Sequence, residues 1–152
     1  MNDKYRALEE AMKETDKAMT EEQKERRQNL DKAYKDYCRE ESKDHFSELR
    51  FAFIMAAKSG VCGFSPFTVT RQAAYYETEN GGWYILMTTP EEAALCPEEM
   101  ILYFNMDTVV RMAILDDRYS GLCVNPYGGH PFFLPRESLT LLRNFANMEG
   151  GL

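Results

Sequence analysis

Asn80-Gly81-Gly82-Trp83-Tyr84-Ile85-Leu86-Met87-Thr88-Thr89-Pro90-Glu91-Glu92 holds a turn, a strand and a helix start in one short run. Asn-Gly is the strongest short hairpin signal. The Trp, Tyr, Ile and Leu that follow suit a pleated, mostly buried surface. Thr89 is a good N-cap, Pro90 fits the first helical position, and Glu91 and Glu92 favour the positive end of a helix dipole. The run is the centre of an order, helix, β-hairpin, helix, strand, helix, β-hairpin, helix, that reads as α+β.

Working outward, Pro66 to Thr78 reads as the outgoing strand of that hairpin. Pro97 keeps the helix opened at Thr89 short. Met100 to Phe104 reads as a buried strand, and Asp107 as the N-cap of a helix carrying Val109, Val110, Met112 and Ala113. Asp116-Asp117-Arg118 closes that helix. Gly121 to Val124 is a further strand, Asn125-Pro126-Tyr127-Gly128-Gly129 a turn, and Pro131 to Leu134 the returning strand. Pro135-Arg136-Glu137 opens a last amphipathic helix with Leu139, Leu142, Phe145 and Met148, ended by Gly150-Gly151. The expectation is a mixed β-sheet with flanking helices.

Upstream the physics changes. No Gly or Pro precedes Gly60, and the residues there are mostly good helix formers. Tyr5, Leu8, Met12 and Met19 fall at heptad-like, coiled-coil spacing. Thr20 with Gln23 fits a capping box, which starts a second helix. Apolar positions return at Leu30, Tyr34, Tyr37 and Cys38, and a core-facing stripe runs through Phe46, Leu49, Phe53 and Ala56. The expected organisation is a long charged helical extension over 1–44 and an α+β domain over 45–152. Two readings of the extension carry equal weight. It is a solvated helix held by Glu/Lys pairs, or it binds a protein partner or a second copy through Tyr5, Leu8, Met12, Met19, Leu30, Tyr34 and Tyr37.

The net charge of −7 argues against nucleic acid, whose binders need a basic footprint. Residues 1–58 hold 13 basic and 14 acidic side chains; residues 59–152 hold 5 and 11. Lys24, Arg26 and Arg27 form the densest basic patch, but Glu21, Glu22 and Glu25 interleave with it, which reads as a salt-paired helix face. No apolar run is long enough to span a membrane. The polar start lacks the features of a signal peptide, so a cytoplasmic setting is expected. Cys38, Cys62, Cys96 and Cys123 show no CxxC spacing and pair with no histidine at zinc spacing, so free thiols are expected and no metal.

Several of these segments together resemble the N-terminal domain of the SseB family. Thr88-Thr89-Pro90-Glu91-Glu92-Ala93 is similar to its helix start, with Met87 where phenylalanine is usual. Met106-Asp107-Thr108-Val109 resembles the helix before its last hairpin. Gly121-Leu122-Cys123-Val124-Asn125-Pro126-Tyr127-Gly128 resembles its strand and turn, and Phe133-Leu134-Pro135-Arg136-Glu137-Ser138-Leu139 its closing strand and helix entry. Phe46-Ser47-Glu48-Leu49-Arg50-Phe51 is similar to its leading helix. The likeness covers about residues 45–148; the extension lies outside it, and the first hairpin departs most. It implies an α+β fold in a bacterial cytoplasm and no catalytic residue.

For chemistry, Cys123 and His130 flank the Asn125–Gly129 turn, and a cysteine–histidine pair could generate a thiolate. Against this, Cys123 sits between Leu122 and Val124, where a cysteine acts as a small hydrophobe. The carboxylate pairs Glu91/Glu92, Glu98/Glu99 and Asp116/Asp117 read as dipole partners or solvated loop charges. Gly128-Gly129 is too short for a phosphate loop, and no nucleotide or hydrolase motif occurs. Tyr75, Tyr76, Trp83 and Tyr84 flank the first hairpin as a binding surface or an inner sheet face. The expected function is a non-enzymatic protein-interaction or regulatory role without a cofactor. A thiol-dependent enzyme and an immunity-type, toxin-neutralising protein are the alternatives.

Overall fold

The computed structural model describes residues 3–68 and 72–150. In chain order the elements are α1 (Asp3–Asp16), α2 (Glu21–Arg39), α3 (Lys43–Lys58), β1 (Cys62–Phe67), β2 (Tyr75–Thr78), β3 (Gly81–Leu86), α4 (Pro90–Ala94), β4 (Met100–Asn105), α5 (Met106–Leu115), β5 (Gly121–Val124), β6 (Phe132–Pro135) and α6 (Arg136–Gly150). The fold is α+β.

A four-stranded sheet runs in the order β2-β3-β5-β6. The pairs β2–β3 and β5–β6 are antiparallel, and β3–β5 is parallel, so the sheet is mixed. Parallel neighbours need a long crossover; here α4, β4 and α5 supply it. β1 and β4 form a separate antiparallel ribbon, registered from Cys62 with Asn105 to Phe67 with Met100. Phe64 and Met87 exchange two backbone bonds of 2.8 Å and stitch the ribbon to the end of β3.

Successive strand side chains point to opposite faces, and this divides the interior in two. Tyr84 and Leu86 of β3 join Leu122, Val124, Phe132 and Leu134 in a core covered by α2, α3, α5 and α6. Ile85 faces the other way, into a smaller core with Phe64, Met87, Ala93 and Cys96, closed by Leu8 of α1.

The N-terminal helices fold back onto the domain. The capping box forms: Gln23 N–H donates to Thr20 Oγ1 at 3.1 Å, and Thr20 N–H donates to Gln23 Oε1 at 2.9 Å. Ser42 caps α3 by accepting from His45 N–H at 3.1 Å. Leu30, Ala33 and Tyr37 of α2 lie in the same core as Leu49 and Phe53 of α3. Arg27 deepens the join, donating to the Cys62 carbonyl and the Tyr103 hydroxyl, each at 2.7 Å. The sequence boundary at residues 44 and 45 therefore falls inside α3 and across one shared core.

Three local expectations are corrected. Pro66 to Thr78 is not one strand. Its first residues belong to β1; then Thr68 N–H bonds the Gln72 carbonyl at 2.7 Å, reversing the chain before β2. The alternation at Val69 and Arg71 lies outside the described residues. β4 is not buried throughout: Ile101 and Tyr103 face the smaller core, while Leu102 is 46% exposed, because β4 has β1 as its one strand neighbour. The cap of α5 is Asn105, whose side chain accepts from Asp107 N–H at 2.8 Å. Asp107 sits in the first turn.

Candidate functional site

The seven positions expected to face a partner are largely turned inward. Leu8, Leu30 and Tyr37 are buried, and Met12, Met19 and Tyr34 are half-buried. Tyr5 is half-buried and donates to Glu91 Oε1 at 2.9 Å, tying α1 to α4. Tyr34 packs on Phe132 with ring centroids 6.1 Å apart. No exposed apolar stripe of α1 or α2 remains among these seven.

The structure does not join Cys123 to His130. Cys123 is fully buried and registered between Ile85 and Phe133. Burial alone pushes its thiol up to about 12. Catalytic thiols need the opposite shift. His130 Nδ1 instead meets Glu41 Oε2 at 2.6 Å, beyond the sheet at the C-terminal end of α2.

A cleft of about 510 Å³ lies between α2 and the start of α4, lined by Asp31, Tyr34, Lys35, Cys38, Thr89 and Glu91. Burial pushes the Asp31 carboxyl up. Burial, with Glu92 close by, raises the Tyr34 hydroxyl, and burial raises the Cys38 thiol. Neither Tyr34 nor Cys38 is thus prepared as a nucleophile. Behind the cleft, Glu92 Oε2 accepts from Tyr34 at 3.4 Å, and its Oε1 is buried without a partner. Gly128 makes room for that carboxylate: a Cβ there would lie 2.2 Å from Oε1. Among the described residues no three metal-ligating side chains converge.

The hairpin aromatics divide between the two faces of the sheet. Tyr75 pairs with Tyr84 on one face and Tyr76 with Trp83 on the other. Tyr75 stacks on Tyr119 at 3.8 Å, and Tyr84, buried, donates to Asp116 at 2.7 Å. Asp116 is held far below the usual carboxylate range, first by Arg118 and then by this tyrosine. These rings are mostly engaged within the sheet.

Exposed apolar side chains gather elsewhere, where α6 packs along α3. Leu141 and Met148 are each 71% exposed, and Phe145 is 47% exposed. Their spacing, i, i+4 and i+7, puts them on one helix face. Phe51 of α3, also exposed, meets Phe145 edge-on at 5.9 Å. The opposite stripe of α6, Leu139 and Ala146, is fully buried, with Leu142 packed beside it. Phe145 and Met148 were expected on that buried stripe and are not part of it. The signal was present: α6 has more apolar residues than one face can hold.

Among the described residues no helix is long and apolar enough to cross a membrane. Comparison with protein-family models, with curated proteins and with solved structures returned no match.

Proposed function

We propose that this chain is a non-enzymatic protein-interaction or regulatory protein that meets a protein partner on the α3–α6 face. One observation carries the reading: Phe51, Leu141, Phe145 and Met148 form a contiguous exposed apolar surface on helices whose other sides are firmly packed. Rigidly mounted aromatic and aliphatic side chains are what interface hot spots are made of, and large exposed apolar patches mark interaction sites. The chain's net charge of −7 suits a partner with a basic rim, and an immunity-type role is a special case of that pairing. The buried, unactivated Cys123 speaks against the thiol enzyme. The place of action in this reading is the cytoplasm, where four free thiols persist.

The test is a Leu141→Glu, Phe145→Glu double variant, checked for unchanged circular dichroism. Both side chains are exposed, so the fold is expected to survive. Wild type is expected to retain a stoichiometric partner from lysate that the variant releases. A partner held equally by both proteins overturns the assignment of this face.

A further inference from the structure

The break between α1 and α2 is unusual in its residues. Lys17, Ala18, Met19 and Thr20 contain no glycine or proline, and Lys, Ala and Met rank among the stronger helix formers. The bend is held by two things outside that preference: the Thr20–Gln23 capping box and the docking of α1 on the domain. With the bend straightened, Asp3 to Arg39 is one helix of about 55 Å at 1.5 Å per residue.

α1 is lightly anchored. Leu8 is its one buried side chain. Met12, half-buried, packs beside it, and the other ties are polar: Tyr5 to Glu91, Lys4 to the carbonyls of Cys96 and Glu98, and Asp16 to Tyr103 at 2.8 Å and Arg27 at 3.5 Å. The groove beneath is apolar, built from Phe64, Ile85, Met87, Ala93 and Cys96. That surface cannot stay bare in water without cost. When α1 leaves, the occupant that matches the groove by construction is another α1.

We propose that α1 exchanges reciprocally between two copies of this chain. In the exchanged form each straightened α1–α2 helix lays its Tyr5, Leu8 and Met12 face into the groove of the other copy. Every tie that α1 makes is remade in trans, including Asp16 with Tyr103 and Arg27. The difference between the two forms is confined to the hinge and to the entropy of association. Exchange of identical elements through a short hinge is a low-cost route to a dimer. The inference is separate from the α3–α6 face, which the exchange leaves uncovered.

The test is solution mass by light scattering from micromolar to millimolar chain concentration, on the full chain. Wild type is expected to shift from one chain to two as concentration rises. Thr20→Ala removes the cap that bends the hinge and is expected to dimerise at about thirtyfold lower concentration, about fivefold for each of the two caps. A Gly-Gly insertion between Ala18 and Met19 breaks the straight helix and is expected to stay single at every concentration with an unchanged spectrum. A single-chain mass for both wild type and Thr20→Ala up to millimolar overturns the proposal. So does a dimer that survives the Gly-Gly insertion, or one that Leu141→Glu, Phe145→Glu dissolves.

Discussion

α1 and α2 read alike in sequence, as charged helices with sparse apolar residues, yet the folded chain uses them differently. α2 puts Leu30, Ala33 and Tyr37 into the main core and Arg27 into a buried polar join. α1 closes the smaller core with Leu8, buried, and Met12, half-buried, and adds polar ties. What separates them is the residue each places against the sheet, since charge and helix propensity hardly differ. Burial, worth about 25 cal/mol per Å² of apolar surface, outweighs exposed ion pairs worth about 0 to 1 kcal/mol each.

The contrast can be broken most forcefully by truncation. A chain starting at Glu21 is expected to unfold cooperatively in urea, with a modest loss. A chain starting at Asp44 is expected to lose the cooperative transition, because it strips Leu30 and Tyr37 from Leu49, Phe53 and Phe132. A sharp transition in the shorter chain would show that α2 is dispensable. Next in size, Leu30→Ala is expected to cost about 2 to 5 kcal/mol as a filled core site is emptied. Leu8→Ala is expected to cost less, about 1 to 2 kcal/mol, and to speed amide exchange in α1 while leaving α2 protected. Equal losses for the two would erase the distinction. Arg27→Met is expected to cost about 1.5 to 3 kcal/mol through its two lost charge-assisted bonds, measured by the same denaturation.

The smallest effect sharpens the boundary between α2 and α4. Burial raises the Glu92 carboxyl above its ordinary value. A raised carboxyl pKa means the folded state binds the proton more tightly, so stability falls as pH rises from the ordinary carboxylate range upward. Glu92→Gln is therefore expected to stabilise the protein at neutral pH. The gain should vanish as pH falls below about 4, where the carboxyl is protonated in both states. A gain that persists in acid would assign the effect to packing against Gly128 instead.

Much of the fold was legible because its signals are local. The Asn80-Gly81 turn, the Thr20–Gln23 box and the Thr89-Pro90 helix start each act within a few residues, and all appear where expected. The errors share a cause. Whether β4 is covered and where α2 docks are decided by residues far along the chain. The candidate surface was half legible. Phe145 and Met148 were read on α6 while Leu141 was not, and which of its two stripes is buried depends on a rotation that helical period alone does not set. Leu122 and Val124 marked a buried strand around Cys123, and the thiol lies inside one.

The Tyr34 hydroxyl donates to the His130 carbonyl, 96 positions later, and its ring rests on Phe132. A ribosome adding roughly 5 to 20 residues per second needs about 5 to 20 s to bridge that interval. Through that time α2 has its α3 partner but not the β6 side of its seat. Until then α3 alone covers Leu30 and Tyr37, through Phe46, Leu49 and Phe53, and the side that meets Phe132 stays open. Its dependence on chaperones during translation should accordingly be set by the arrival of β6, and not by α2 and α3.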